Sequence, residues 1–148
     1  MTVFRVLASF FACIGFAVVL NVPKKELISC GFVGLVSFAV YTALGCVMGT
    51  DSVVPMFFGI VASTIVARGM SYRRKAPSTI YVITGMLPLV PGAGMYYTMY
   101  GILNSDIVFS YMKGAETLKA AGVIAMGIIL VFLFPPEFFK IGMKRKEN

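Results

Sequence analysis

The segment Pro88–Tyr100, which reads PLVPGAGMYYTMY, lies inside an apolar stretch that runs from Thr79 to Leu103. As one straight helix this stretch is roughly 37 Å long, more than the ~30 Å hydrocarbon core of a bilayer. Pro88 and Pro91 have no backbone N–H to donate, and two glycines follow, so the pattern predicts a helix that breaks in mid-bilayer. Such a break is tolerated only where the freed backbone groups meet protein, water or a ligand.

This predicted break is the best candidate for a binding site in the chain. If the helix restarts after Gly92, the first-turn N–H groups and the helix dipole favour an anion, and the freed carbonyls suit a cation or an ammonium group. Gly94 allows further unwinding, and Tyr96, Tyr97 and Tyr100 bring hydroxyl groups within one turn. Broken helices of this kind hold substrate in carriers of small carboxylates. The alternative is a Pro-kinked helix that only packs on its neighbours.

Composition predicts one integral membrane domain over residues 1–148. The chain is 59% hydrophobic and 13% charged, whereas soluble domains carry about 25% charged residues. The fold class predicted is an all-α integral membrane protein with five transmembrane helices, the fourth broken or kinked at Pro88–Gly94. The predicted helices are residues 2–21, 27–48, 53–67, 79–103 and 119–134, with a short interfacial helix over 104–118.

Several functions are excluded by what the chain lacks. Histidine is absent, and the three cysteines form no CxxC pair, so we predict no metal site and no cofactor. No nucleophile–base pair or carboxylate dyad is present, so we predict no catalytic residues and no enzyme. The net charge of +7 lies in short loops rather than on a basic face with aromatic residues, so we predict no nucleic-acid partner.

The basic residues predict the topology. If the N-terminus is outside, ten of the 13 lysines and arginines lie on the cytoplasmic side. This bias fits the positive-inside rule and places the C-terminus in the cytoplasm. We expect these residues to contact anionic lipid, with Arg68 extending to the headgroups. The ten residues are Lys24, Lys25, Arg68, Arg73, Arg74, Lys75, Lys140, Lys144, Arg145 and Lys146.

Two further observations concern partners and the substrate path. An odd number of helices cannot form two equal inverted halves, so a pseudo-symmetric architecture needs a second polypeptide or another copy. No charged residue lies in the middle of an apolar segment, so coupling through a buried carboxylate would also need a partner. Asn21, at the end of the first helix, is predicted either to cap that helix or to line the substrate path.

Several motifs together resemble the threonine/serine exporter (ThrE) family, and more narrowly its short YjjB-type subunit. The resemblance covers most of the chain, roughly Gly15 to Leu103, and is most specific in the PLVPG run. The motifs are NVPKKEL (Asn21–Leu27), Gly31, Ala67-Arg68, Ala76-Pro77 and PLVPGAGMYYTMYGI (Pro88–Ile102).

The resemblance implies a subunit of a secondary exporter in the bacterial cytoplasmic (inner) membrane. The expected substrate is a small carboxylate, either threonine and serine or a succinate-type dicarboxylate, and the expected partner is a YjjP-type membrane subunit. The alternative is a membrane scaffold or assembly subunit that transports nothing itself.

Overall fold

The computed structural model describes residues 2–48 and 53–135, and the structural statements below concern these residues. In these two ranges the chain forms six α-helices and two short 3-10 turns, and no strand. The turns lie at Lys24–Glu26 and Leu87–Leu89. The helices are α1 (Thr2–Val19), α2 (Leu27–Met48), α3 (Val53–Arg74), α4 (Ser78–Met86), α5 (Gly92–Leu103) and α6 (Ile107–Leu133).

The lengths of the helices are those of a multi-pass membrane protein. By length and composition, α2, α3 and α6 can each cross a bilayer, while α4 and α5 qualify only as a pair that is bent by 59°. The apolar α1 is shorter, at roughly 27 Å, which is close to the thickness of the hydrocarbon core. The all-α class is therefore confirmed, and the arrangement is compatible with the five crossings predicted.

α6 begins earlier than the predicted fifth span, because residues 107–118 form one continuous helix with the residues that follow. The side chain of Asp106 caps this helix by accepting the N–H of Phe109 at 3.0 Å. One turn further on, Lys113 and Glu116 form an ion pair at 2.8 Å on the exposed side. These polar contacts extend the helix where hydropathy alone predicts a separate interfacial segment.

α2 lies at the centre of the helical bundle and packs against α1, α3 and α4, while α6 packs against both α3 and α5. Buried side chains from α1 to α4, including Ala17, Val33 and the fully buried Tyr81, form one core cluster. A second cluster joins Ile60, Leu89 and Ile124. Leu89 belongs to the interrupted segment, so the break is anchored to α3 and α6 through that residue.

Close helix contact near the break depends on Gly34 of α2. A Cβ atom added to Gly34 would lie 2.9 Å from the Cβ atom of Cys13, closer than side chains in proteins approach each other. The nearest atom of Pro88 would be 3.8 Å away. Gly34 therefore lets α1 and α2 approach each other beside the interrupted helix, as small residues do in membrane proteins.

We expect Gly34→Ala to destabilise the protein by about 1–3 kcal/mol, because the added methyl group overpacks this contact. Gly15→Ala on α1 is the matched control, since nothing lies within 4 Å of a Cβ atom there. The measurement is the thermal unfolding midpoint of the purified chain in detergent. Equal midpoints for the two variants would contradict the tight α1–α2 contact.

Three helices end with a residue other than glycine in the left-handed conformation: Asn21 (φ 55°), Lys75 (φ 53°) and Ser105 (φ 58°). At the end of α1, the N–H of Val22 donates to the carbonyl of Ala17 at 3.0 Å, and the N–H of Asn21 donates to Val18 at 3.0 Å. This pair of bonds is a Schellman motif, which satisfies carbonyls that the helix end leaves free. Asn21 thus caps α1, one of the two roles predicted for it.

The expectation that Arg68 extends to the headgroups is wrong. Its side chain is only 7% exposed because it turns inward between α3 and α6. Its Nη1 donates to the carbonyl of Val131 and, at 3.0 Å, to that of Phe134, and the guanidinium lies 5.1 Å from the ring centre of Phe132. Pro135 cannot donate to Val131, whose carbonyl accepts the N–H of Phe134 at 3.3 Å, and Arg68 adds a second donor at this end of α6.

The contacts of two arginines bring three chain segments to one end of the bundle. Arg74, at the end of α3, forms an ion pair with Glu26 in the turn after α1. Arg68, less than two turns earlier in α3, contacts the end of α6. The turn after α1, the end of α3 and the end of α6 therefore lie on the same side of the bundle. We refer to this side as the basic end.

Candidate functional site at the interrupted helix

The predicted break is present and spans residues 87–91. After the 3-10 turn at Leu87–Leu89, Val90 is extended, and Pro91 has φ −77° and ψ 59°. The N–H of Gly92 donates to the carbonyl of Val90 at 2.8 Å, which makes Pro91 the centre of an inverse γ-turn. α5 begins directly after it. The backbone restrictions of the prolines therefore bend the chain by 59° between α4 and α5.

Both carbonyls that the prolines deprive of a helical donor have partners in the protein. Pro88 cannot donate to Thr84, whose carbonyl instead accepts the thiol of the buried Cys13 at 3.3 Å. Pro91 cannot donate to Leu87, whose carbonyl accepts the N–H of Val90 at 3.2 Å. The proposed cation-binding role of the freed carbonyls therefore has little support in this geometry. The anion-binding alternative depends instead on the backbone N–H groups at the start of α5.

The first turn of α5 presents backbone N–H groups at the bend. The amides of Ala93 and Gly94 lie in this turn, where an α-helix has no acceptor of its own for them. The glycine before them, Gly92, is exposed, and a Cβ atom added there would have nothing within 4 Å. Amides without a helical acceptor at the positive end of a helix dipole are the arrangement that binds anions.

Three tyrosines follow on the exposed surface of α5. Tyr96, Tyr97 and Tyr100 are 64%, 47% and 52% exposed. The ring of Tyr96 stacks on that of Tyr100 with centroids 6.2 Å apart and meets Tyr97 edge-on at 5.4 Å. Tyr97 also contacts Phe109 of α6 edge-on, at 6.4 Å. The tyrosines thus form one aromatic patch beside the start of α5.

Gly94 has a different position from the other residues of the break, because it lies inside α5 and faces α6. An added Cβ atom would be 3.3 Å from the Cβ atom of Thr117. Further along the same pair of helices, Gly101 faces Ser110, and the Ser110 hydroxyl donates to the carbonyl of Thr98 at 2.9 Å. Small residues therefore hold α5 tightly against the first half of α6.

Pro88, Pro91 and Gly92 lie together at the break, and the three tyrosines follow on α5 roughly one to two turns beyond Gly92, but Asn21 lies toward the opposite end. Asn21 is exposed at the basic end of α1, eight residues beyond the Cys13 that contacts the break. That spacing corresponds to roughly 12 Å along a helix axis. Asn21 is therefore separated from the α5 side of the break.

Sequence reasoning missed a polar cluster at the basic end. The carboxylate of Glu26, with its side chain 12% exposed, accepts the hydroxyl of the fully buried Tyr81 at 2.6 Å. The same Oε2 atom lies 3.4 Å from Nη1 of Arg74. Glu26 stands within the NVPKKEL motif, yet only its contact with a residue 55 positions away shows that it points inward.

Taken together, the apolar helices and the interrupted span define a multi-pass membrane protein with a helix terminus exposed at the bend. The chain matches the family model described as "Threonine/Serine exporter, ThrE" over residues 5–134. It therefore belongs to the threonine/serine exporter family, which is a family of membrane transporters and not of enzymes.

One characterised relative has a sequence similar to most of this chain. The chain is 28% identical over 129 residues to a protein of Corynebacterium glutamicum named "Threonine/serine exporter". The match covers 85% of this chain but 25% of the relative, so the chain spans about a quarter of the length of that protein. No solved structure matches the chain.

Proposed function

We propose that this chain is a membrane subunit of a secondary exporter of small carboxylic metabolites. The observation that carries the proposal is the interrupted span, in which a helix N-terminus opens at the bend beside the Tyr96, Tyr97 and Tyr100 patch. A carboxylate is the ligand that such amides and hydroxyl groups recognise best. Family membership supports the same class of function. The substrate is threonine, serine or a succinate-type dicarboxylate.

In this proposal the substrate path runs past the break. Pro88, Pro91 and Gly92 create the bend, Gly94 sets the distance between α5 and α6, and the tyrosine hydroxyls contact the substrate. Asn21, at the basic end, lies at the cytoplasmic mouth of the path. The N-terminus is outside and the C-terminus is in the cytoplasm of a bacterial inner membrane, with anionic lipid around the basic end.

The exporter is completed by a second membrane subunit of the YjjP type. The outward face of α5 supports this part of the proposal, because α5 packs mainly against α6 and leaves the tyrosine patch uncovered. The relative from Corynebacterium glutamicum is about four times as long as the matched region, which leaves room there for a complementary half. In this arrangement the second subunit covers the tyrosine patch and completes the substrate site.

The experiment is efflux from cells preloaded with labelled succinate, threonine or serine. Cells with and without the gene are compared at equal membrane energisation. We expect slower efflux of one substrate in the deletion strain, restored by this chain together with its partner. Unchanged efflux of all three substrates, together with loss of a partner complex on deletion, would favour the scaffold function instead.

The proposed orientation predicts which single cysteines react with a membrane-impermeant maleimide in intact cells. Cys46 is the one exposed native cysteine, so the background is Cys46→Ser. In that background Ser105→Cys, in the turn between α5 and α6, should be labelled, whereas Lys24→Cys should be labelled only after the cells are opened. The opposite pattern would reverse the orientation. Asp51, a further outer-side position for such a label, lies outside the described residues.

A further inference from the structure

A cavity of about 290 Å³ opens at the basic end and is lined by Met70, Arg73 and Arg74 of α3. These residues are three and four positions apart, so they share one face of the helix. The volume lies just below the ~300–1,000 Å³ range of pockets for drug-sized ligands, which suits a smaller metabolite. One wall is the apolar side chain of Met70, and the other walls carry two guanidinium groups.

The geometry of Arg74 leaves one side of its guanidinium group for a ligand. Its contacts with Glu26 at 3.4 Å and with the carbonyl of Lys25 at 3.2 Å both go through Nη1. Arginine has five N–H donors, and the pair formed by Nε and Nη2 is a fork that matches a carboxylate. Glu26 and Lys25 therefore fix the orientation of the guanidinium group without occupying this fork.

Arg73 adds a second positive charge to the cavity. Within the described ranges, the ion pairs are Arg74–Glu26 and Lys113–Glu116, and neither includes Arg73. The only carboxylate that contacts the cavity arginines there is therefore Glu26, on the far side of Arg74. A cavity with two guanidinium groups and one counter-ion, which contacts Arg74 alone, has an excess of positive charge, which favours an anion.

We propose that the Met70–Arg73–Arg74 cavity is a loading site that binds the carboxylate of the exported metabolite, and that Glu26, through its contact with Nη1, partly neutralises the charge of Arg74 and so limits the affinity. The inference rests on the proposed export function, and it places a second substrate site at the basic end, away from the break. Met70 contacts the aliphatic part of the metabolite. Tyr81 holds Glu26 in position through its hydroxyl group, so that Arg74 stays oriented when the cavity is empty.

The test is calorimetric titration of succinate into the purified full chain in phosphatidylcholine nanodiscs. We expect Arg73→Gln and Arg74→Gln each to weaken binding about tenfold, because each removes a charge-assisted contact. Glu26→Gln should strengthen binding about fivefold, because glutamine can keep the hydrogen bonds to Tyr81 and Arg74 but removes the negative charge that partly neutralises Arg74. Lys24→Gln, which removes one charge at the same end without touching the cavity, should change binding less than about twofold.

The Arg74→Lys variant distinguishes the loss of the ligand contact from a loss of folding. Lysine keeps the positive charge beside Glu26 but lacks the fork, so binding should still weaken while the thermal midpoint of the chain is unchanged. Affinity unchanged in Arg73→Gln and Arg74→Gln would overturn the proposal, as would weaker binding in Glu26→Gln. Absence of succinate binding, with Arg74-dependent retention of phosphatidylglycerol, would overturn it too, because the cavity would then be a lipid site.

The efflux experiment and the succinate titration together distinguish failure of the loading site from failure of the export function. Efflux that depends on the gene, combined with succinate binding that is independent of Arg73 and Arg74, leaves the exporter in place and removes the loading site. Arg74-dependent succinate binding without any gene-dependent efflux leaves an anion site at the basic end and contradicts both the exporter and the loading role.

Discussion

The double variant Pro91→Ala/Gly92→Leu is expected to reduce substrate efflux at least about tenfold while the protein still reaches the membrane at its normal level. Alanine restores an N–H that can donate to the carbonyl of Leu87, and leucine replaces a poor helix former. The two changes favour a continuous helix by roughly 3 kcal/mol and 0.8 kcal/mol. A continuous helix would use the first-turn amides of α5 internally and remove the bend that exposes them.

The matched control for this variant is Pro23→Ala/Gly15→Leu, which makes the same two changes in exposed positions of the first helix and its following turn. Efflux, membrane level and partner recovery are measured for both proteins in the deletion strain. Normal efflux by the Pro91→Ala/Gly92→Leu protein would contradict a role for the break in transport. Loss of efflux in both proteins would show that the effect does not come from the break.

Replacing Arg68 by leucine is expected to lower the free energy of unfolding by about 1.5–3 kcal/mol, because the carbonyls of Val131 and Phe134 each lose a charge-assisted hydrogen bond, the first in a buried site and the second in a partly buried one. Val131 keeps the N–H of Phe134 as a donor at 3.3 Å, and Pro135 has no N–H with which to add a second bond. Arg68→Lys should lose less, because an ammonium group still donates to one carbonyl. The measurement is denaturant unfolding in detergent, from which the midpoint concentration and the free energy of unfolding are obtained.

The control for Arg68→Leu is Lys119→Leu, which removes a positive charge from an exposed position of α6. We expect its midpoint to match that of the parent protein. If Arg68→Leu were equally neutral, the contacts between Arg68 and the end of α6 would contribute nothing to stability. If Arg68→Lys were as unstable as Arg68→Leu, the contacts that only a guanidinium group can make, with both carbonyls and with the Phe132 ring, would be the important ones.

The break was predictable because its causes are local. Pro88, Pro91 and Gly92 impose their backbone restrictions wherever they stand, so the sequence shows both the presence and the position of the interruption. The membrane class was equally predictable from long apolar segments. The family resemblance, which rests on the PLVPG run and NVPKKEL, is confirmed by the match over residues 5–134.

The positions of charged side chains were not predictable in the same way. An arginine at the end of an apolar segment usually extends toward the headgroups, and nothing near Arg68 in sequence shows that its acceptors lie 63 and 66 residues away. The contact between Glu26 and Tyr81 was unpredictable for the same reason, because the two residues are 55 positions apart. Gly94 was assigned to the break by its residue type, and its contact with Thr117 depends on tertiary packing. Each of these roles requires knowledge of which helices are neighbours.

The interruption between α4 and α5 also constrains how the chain is made. The 9 residues of α4 and the 12 residues of α5 correspond to roughly 14 Å and 18 Å, so neither piece is long enough to enter a bilayer alone. In the proposed arrangement of five crossings, the insertion machinery, which responds to the hydropathy of a continuous segment, accepts residues 78–103 as one unit. The bend then forms after insertion, when the Cys13 thiol donates to the Thr84 carbonyl and Leu89 packs against α3 and α6. A charged substitution in either piece should therefore impair biogenesis of the whole span before it affects folding.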